Sequence, residues 1–451
     1  MTNKQTTRVW HPYTKFSAFE AGPLPEIVRG DGVYLFDSAG HRYLDAVSSW
    51  WSCSLGHGQP DIVAAIQRQA AELQHSILGN LSHPRATELA ARIATLMPTP
   101  ERHVLFASDG ASAVEAALKI ALQYWHNRGR PERKRFAYLE DAYHGDTLGA
   151  VSVGYLEGFH KPFEPILFPA FELPVPPNAA AEHAALEQIR TIFDAHGQEL
   201  AALIIEPLCQ GAAGMKMYSA AHLRQLAELC RERDILLIVD EIATGFGRTG
   251  RMFAFEHADI DPDIVCLGKS LSAGYLPISA TVVKDSIFNT FSDKPVDHSF
   301  YHGHTFCGNP IAAAAALAAL DIYERIDIAG CARRIERVFR EMIEPLAKLP
   351  QVKDVRILGA IAAVELAGES QPNAAAMEEG LPAAQAIRQR MLEAGILIRP
   401  LGNVVYLMPP LTIPDDILTT LCQTLVTAVA TSQSLSSAPK VGRTPRPHAQ
   451  H

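Results

Sequence analysis

Apolar residues fall in short runs through the middle of the chain, at 104–106, 136–139, 202–205, 235–239 and 264–267. These runs are rich in Val, Ile and Leu, and they stop at residues such as Glu206, Asp240 and Gly268. Short bounded runs of this kind read as strands buried on both faces. Between them the period changes. Val114, Leu118, Ala121, Leu122 and Trp125 recur at helical spacing, and 220–233 forms a second helical stretch. Strands alternating with helices predict an α/β fold with a mostly parallel sheet covered on both faces. A long helix over 311–326 leads out of this lobe. Beyond it come extended runs at 352–355, 360–366 and 404–408, with a helix near 383–394, the pattern of a smaller α+β lobe. The first 45 or so residues, with Gly30-Asp31-Gly32 between extended runs, are expected to join that smaller lobe. The expected organisation is an N-terminal segment 1–50 joining the small domain, a large domain 51–320, a C-terminal small domain 321–431, and a polar, disordered tail 432–451.

Composition narrows the function classes. At roughly 150 residues per domain, 451 residues allow two or three domains. A hydrophobic share of 48% with 20% charged residues suits an enzyme with a large core. A net charge of −9 without basic blocks argues against nucleic acid and anionic membranes as partners. Seven cysteines without paired spacing point to reduced thiols and a cytoplasmic setting. Residues 1–13 show no apolar core of a secretory signal, and the alanine-rich run 311–320 is too short to span a bilayer.

The most informative chemistry is Lys269, which follows Gly268 directly after the run 264–267. It places an amine at the carboxyl end of a strand, where α/β sheets hold ligands. Asp240 ends another strand, 29 residues earlier. That pair suits a pyridoxal-phosphate site: the amine bonds the cofactor's aldehyde and the carboxylate keeps its ring nitrogen protonated. A solvated loop lysine is the plainer reading of Lys269 taken alone. Gly268-Lys269-Ser270 also looks like the end of a P-loop, but Asp263 stands where that motif needs glycine. Gly245-Phe246-Gly247-Arg248-Thr249-Gly250 matches a dinucleotide pattern. Only 13 residues then separate Gly250 from Asp263, with Pro262 among them and no strong helical pattern, too little for a parallel crossover with its helix.

Other pieces are open on their own. Ser108-Asp109-Gly110-Ala111-Ser112 turns into a helix and is either a phosphate site or a plain N-cap. Tyr143 either stacks on a planar ring or is a loop tyrosine. Glu206 could reach the same crevice. Trp50 and Trp51 are either core or pocket wall. His298, His302, His304 and Cys307 carry zinc-type ligands in a spacing that matches no standard site, so no metal is expected.

Together these pieces resemble the class III, fold-type I pyridoxal-phosphate aminotransferases, over about residues 9–431. The most specific stretch is 237–250 with Gly268-Lys269, which accounts for the false dinucleotide match. Trp10-His11-Pro12-Tyr13-Thr14, Ser48-Ser49-Trp50-Trp51, Tyr143-His144-Gly145-Asp146-Thr147, Glu206-Pro207-Leu208-Cys209-Gln210-Gly211, Arg399-Pro400-Leu401-Gly402 and Tyr406-Leu407-Met408-Pro409-Pro410 resemble one branch of it. That branch takes its amino group from S-adenosylmethionine and gives it to 8-amino-7-oxononanoate. Lysine as donor, or another ω-amino acid or diamine aminotransferase, are the alternatives. The resemblance implies Lys269 as the lysine that bonds pyridoxal 5'-phosphate, Asp240 as the ring-nitrogen partner and Tyr143 stacked on the ring. It implies phosphate binding by Gly110 and Ala111, and by Thr305 toward the neighbouring subunit of a homodimer. Arg399 would pair with the acceptor's carboxylate, while Tyr13, Trp50 and Arg248 shape the pocket with Asp146 behind. The chain departs at Asp109-Gly110-Ala111, where many relatives carry Ser-Gly-Ser or Gly-Ser, so the resemblance assigns no hydroxyl to the phosphate.

Overall fold

The structure, a computed structural model, describes residues 8–15, 24–368 and 381–432. The expected tail beyond Ser432 lies outside the described residues. Seven strands form the central sheet: β1 (Arg102–Ala107), β2 (Arg135–Leu139), β3 (Phe171–Leu173), β4 (Leu200–Ile205), β5 (Leu236–Asp240), β6 (Ile264–Leu267) and β7 (Ser279–Lys284). Their order across the sheet is β1-β7-β6-β5-β4-β2-β3. Strands β3, β2, β4, β5 and β6 run parallel, and β7 is antiparallel to both β6 and β1.

The side chains of this sheet alternate between two apolar layers, as strand pleating requires. Ile238, Ile264 and Cys266 pack with Ala113, Val114, Ala117 and Ala121 of the helix Gly110–Asn127. Leu237, Val239, Val265 and Leu267 share the opposite layer with Leu223, Leu226 and Leu229 of the helix Ala220–Glu232. Each Leu, Ile or Val side chain among them contributes about 1.5–3 kcal/mol when fully buried. This two-sided burial is why the strands read as unbroken apolar runs.

Strand β7 escaped the pattern. Its sequence, Ser279-Ala280-Thr281-Val282-Val283-Lys284, looks half polar, yet Ser279 and Thr281 are fully buried. Their hydroxyls donate to the carbonyls of Asp109 (2.6 Å) and Ala113 (2.8 Å). The strand thereby ties the sheet to the start of the helix Gly110–Asn127.

Two smaller sheets complete the fold. Strands Ile27–Asp31, Tyr34–Asp37 and Arg42–Asp45 form an antiparallel set, extended by Ile396–Leu397 in parallel with Arg42–Asp45. Strands Val352–Leu358, Ile361–Leu366 and Val404–Leu407 form the other. Their edges bring Trp51, Arg399 and Tyr406 beside the carboxyl ends of β5 and β6. All seven cysteines are free. Among the described residues no helix is long and apolar enough to cross a membrane.

Candidate active site

The register of the sheet fixes the centre of the site. Asp240 pairs with Cys266 across β5 and β6, so the strand ends that carry Asp240 and Gly268-Lys269 lie side by side. Lys269 takes a left-handed φ of +43°, a conformation that a non-glycine residue adopts at a cost of about 1–3 kcal/mol. Its amine lies 4.7 Å from the centre of the Trp51 ring. Burial lowers the amine's pKa, while the carboxylates of Asp240 and Glu206 act in the opposite sense.

Two adjoining cavities share Trp51, Tyr143 and Lys269. The first, of about 410 Å³, is lined further by Gly110, Ala111, Thr147, Glu206 and Asp240. At its floor the Asp240 carboxylate accepts from His144 Nδ1 (2.7 Å) and from the Ile242 N–H (3.0 Å). His144 is fully buried, and the signal that could have found it was its place inside the Tyr143–Thr147 stretch. Glu206 accepts from the N–H groups of Tyr143 and Gly211, both at 2.9 Å. Burial pushes Glu206 up to about 7, against the opposing pull of His144 and those two N–H groups.

The other end of this cavity is the start of the helix Gly110–Asn127. Asp109 is its N-cap and accepts from the Ser112 N–H at 2.9 Å, and the Ala113 N–H goes to the Asp109 carbonyl. The helix thus begins at Gly110, three residues earlier than the apolar spacing suggests. The Gly110 and Ala111 N–H groups stand ahead of the helical ladder, on the cavity wall. A Cβ on Gly110 would come 2.8 Å from the Ile242 side chain, and one on Gly145 would collide with Ala111. Both glycines let the segments of the cavity wall pack closely on one another.

The second cavity, of about 300 Å³, is walled by Tyr13, Trp50, Trp51, Tyr143, Phe159 and Tyr406, and it also holds Arg399. Arg399 lies 4.1 Å from the centre of the Trp50 ring and donates to the Tyr13 carbonyl at 3.3 Å. The Trp51 Nε1 donates to the Tyr406 hydroxyl at 3.1 Å. The Tyr13 hydroxyl donates to Asp146 at 2.5 Å. Burial raises Asp146, but His160, Tyr13 and Tyr143 together hold it below the usual carboxylate range. Phe159 and Tyr406 are wall residues that the sequence reading did not place in a role.

The structure therefore gathers Lys269, Asp240, Tyr143, Gly110, Ala111, Tyr13, Trp50 and Arg399 around the two cavities. Arg248 stands apart. It lines neither cavity and is buried, donating to the Pro409 carbonyl (2.6 Å) and lying 3.5 Å from Ser48 Oγ, behind the turn that carries the two tryptophans. Burial lowers its pKa to about 10. Thr305 is exposed, in a loop whose His304 accepts from the Ser108 N–H at 3.2 Å. In the same stretch His302 faces Lys119 at 3.0 Å, and Cys307 accepts from the His304 N–H at 3.2 Å.

The arrangement fits pyridoxal phosphate. A primary amine, a carboxylate held by its own two donors, an aromatic ring and a helix start line one cavity of suitable size. Two buried polar atoms on residues of its lining, His144 Nε2 and Thr147 Oγ1, have no hydrogen-bond partner among the described residues.

Comparison with known proteins gives a consistent result. The sequence profile of the aminotransferase class-III family matches residues 17–429. The chain is 40% identical to the adenosylmethionine-8-amino-7-oxononanoate aminotransferase of Geobacter sulfurreducens, covering 90% of this chain and 92% of that one. It superposes on the crystal structure of the enzyme of that name from Methanocaldococcus jannaschii with a TM-score of 0.87 at 36% identity, over 94% and 97% of the two chains. A PLP-bound amine transaminase from an uncultivated Pseudomonas species gives a TM-score of 0.88 at 34% identity, over 95% and 100%.

Proposed function

Because this chain belongs to the aminotransferase class-III family, and so is a pyridoxal-phosphate-dependent aminotransferase, we propose that it transfers an amino group from S-adenosylmethionine to 8-amino-7-oxononanoate. The product would be 7,8-diaminononanoate, a step of biotin biosynthesis, made in the cytoplasm by a homodimer. The observation that carries the reading is the second cavity. One aromatic chamber holds both the Lys269 amine and the Arg399 guanidinium, which suits a long aliphatic acceptor with a carboxylate at its far end.

When bound, the cofactor supplies an aldehyde that takes up the amine and an electron-poor ring that stabilises negative charge at the reacting carbon. The chain's own residues do the rest. Gly110 and Ala111 would hold the phosphate with their N–H groups, Thr305 would serve the partner's site, and Tyr143 would cover the ring. Asp240, braced by His144 and the Ile242 N–H, would keep the ring nitrogen protonated. Lys269 Nζ would act as the general base that takes the proton from the substrate carbon and delivers it to complete the transfer. Its lowered pKa favours the neutral amine that this task needs. Tyr13 walls the acceptor chamber, and Asp146, on the wall of the first cavity, holds its hydroxyl.

A second reading, a broader amine transaminase, is favoured by the Pseudomonas structure. Half-reactions separate the two. Holoenzyme mixed with S-adenosylmethionine, with lysine or with a simple amine should lose its cofactor absorbance fastest with S-adenosylmethionine. Faster conversion by lysine or by the amine overturns the proposed donor.

Arg399→Ala is expected to raise the KM for 8-amino-7-oxononanoate by one to three decades, since truncating a cation that pairs with a carboxylate in a partly desolvated pocket costs roughly 2–5 kcal/mol. The half-reaction with S-adenosylmethionine should change far less. Equal losses in both would mean that Arg399 is shared or structural.

The dimer reading rests on the surface beside Thr305. Ile77, Leu81, Tyr301 and Phe306 are exposed apolar side chains on segments that touch through the His75 and Phe306 rings, the sort of patch that marks an interface. Sedimentation should show a dimer at assay concentrations. A stable, active, cofactor-loaded monomer would refute it.

A further inference from the structure

The turn Ser48–Trp51 is left-handed throughout. Its four residues have φ of +49°, +45°, +69° and +69°, and none is glycine. A run of this kind persists only where its surroundings over-determine it, so something must hold it.

The holder is Asp45, whose carboxylate is buried with its side chain 2% exposed. One oxygen accepts from the Ser49 N–H (2.9 Å), and the other accepts from Ser49 Oγ (2.7 Å) and His57 Nε2 (3.0 Å). His57 is itself fixed from outside the site. Its N–H donates to the Gly32 carbonyl (2.7 Å) and its carbonyl accepts from the Gly32 N–H (3.0 Å). A Cβ on Gly30 would come 2.7 Å from the His57 side chain, and Gly56, at φ +72°, passes so close to the Gly32 carbonyl that a Cβ would collide with it. The Gly30-Asp31-Gly32 segment thus makes room for the histidine. At the far end of the chain of contacts, Trp50 stacks on Arg399 and Trp51 faces Lys269.

We propose that Asp45 and His57 are a positioning pair for acceptor selection: they hold the Ser48–Trp51 turn left-handed and so set Trp50 against Arg399. The inference rests on the reading of Arg399 as the carboxylate partner. It adds two residues that line neither cavity, Asp45 acting through Ser49 of the second cavity's wall, and that no sequence signal assigned. Burial alone would lower the pKa of His57, but Asp45 and Cys53 beside it raise it, and burial alone would raise Asp45, but His57 and Ser49 hold it below the usual carboxylate range, so the pair is ionic at neutral pH.

The test uses full-length holoenzyme. His57→Leu should raise the KM for 8-amino-7-oxononanoate at least about tenfold, the scale of a small misplacement of a binding group, with the cofactor absorbance and kcat much less affected. Adding Ser49→Gly should restore most of the loss, because glycine takes positive φ without help. A merely structural role gives no such rescue. The second arm needs no substrate. The chain has four tryptophans, and fluorine spectra of 5-fluorotryptophan-labelled enzyme should show the Trp50 and Trp51 signals shifted in His57→Leu and returned by Ser49→Gly, with Trp125 unmoved. If wild type does not turn over this acceptor, the proposed substrate fails and the fluorine arm alone decides the pair. Unmoved signals, or no return with Ser49→Gly, overturn the proposal. Should His57→Leu fail to fold, Ser49→Ala is read the same way, and an unchanged acceptor KM together with unmoved Trp50 and Trp51 signals overturns it.

Discussion

Lys269→Ala should lower transamination by at least about four orders of magnitude, because one change removes both the amine that bonds the cofactor and the general base. The loss should appear in both half-reactions, since the same proton is moved in each direction. Borohydride reduction of wild-type holoenzyme followed by peptide mapping should mark the peptide that contains Lys269. A mark on Lys284, which lies at the end of β7 with its amine on Asp263 and the Asp261 carbonyl, or on any other lysine, would overturn the assignment. The fold should survive the change, because the Lys269 amine stands on a cavity wall and is not packed within the core.

Asp240→Asn should keep the fold and lose about two to three orders of magnitude in rate, the scale on which one preorganised electrostatic partner counts. The geometry explains both halves of that expectation. The asparagine oxygen can still accept from the Ile242 N–H, and its amide can donate to His144 Nδ1 once the ring moves its proton to Nε2. What disappears is the negative charge that favours a protonated ring nitrogen. Activity near wild type would mean that another carboxylate does this work. Glu206 is the neighbour to test next, although both of its oxygens already accept backbone N–H groups.

Much of this arrangement was legible in the chain because it depends on local patterns. Two-sided burial writes unbroken apolar runs, so β4, β5 and β6 could be read within two residues of their ends. A glycine and a lysine after one run, and an aspartate after another, then place an amine and a carboxylate at strand ends. The strand β7 was missed for an equally local reason. Its serine and threonine look exposed by composition, and only the carbonyls of Asp109 and Ala113 across the layer make them core residues.

The α/β alternation and the positions of Lys269 and Asp240 at strand ends were written in the chain, because each follows from residue periodicity over a few positions. What faces those groups depends on contacts between distant segments. Trp51 meets Tyr406 across 355 positions of sequence, Ser48 meets Met408 across 360, and Arg399 meets Tyr13 across 386. No local pattern encodes such distances. The same holds for Arg248, which the family resemblance expects to shape the pocket but which hydrogen bonds to Pro409 and Ser48 hold behind the tryptophan turn. It holds for His144 as well, whose partner lies 96 residues away. Hydrogen bonds between distant segments depend on how sheets and helices stack, and that stacking is a property of the whole core.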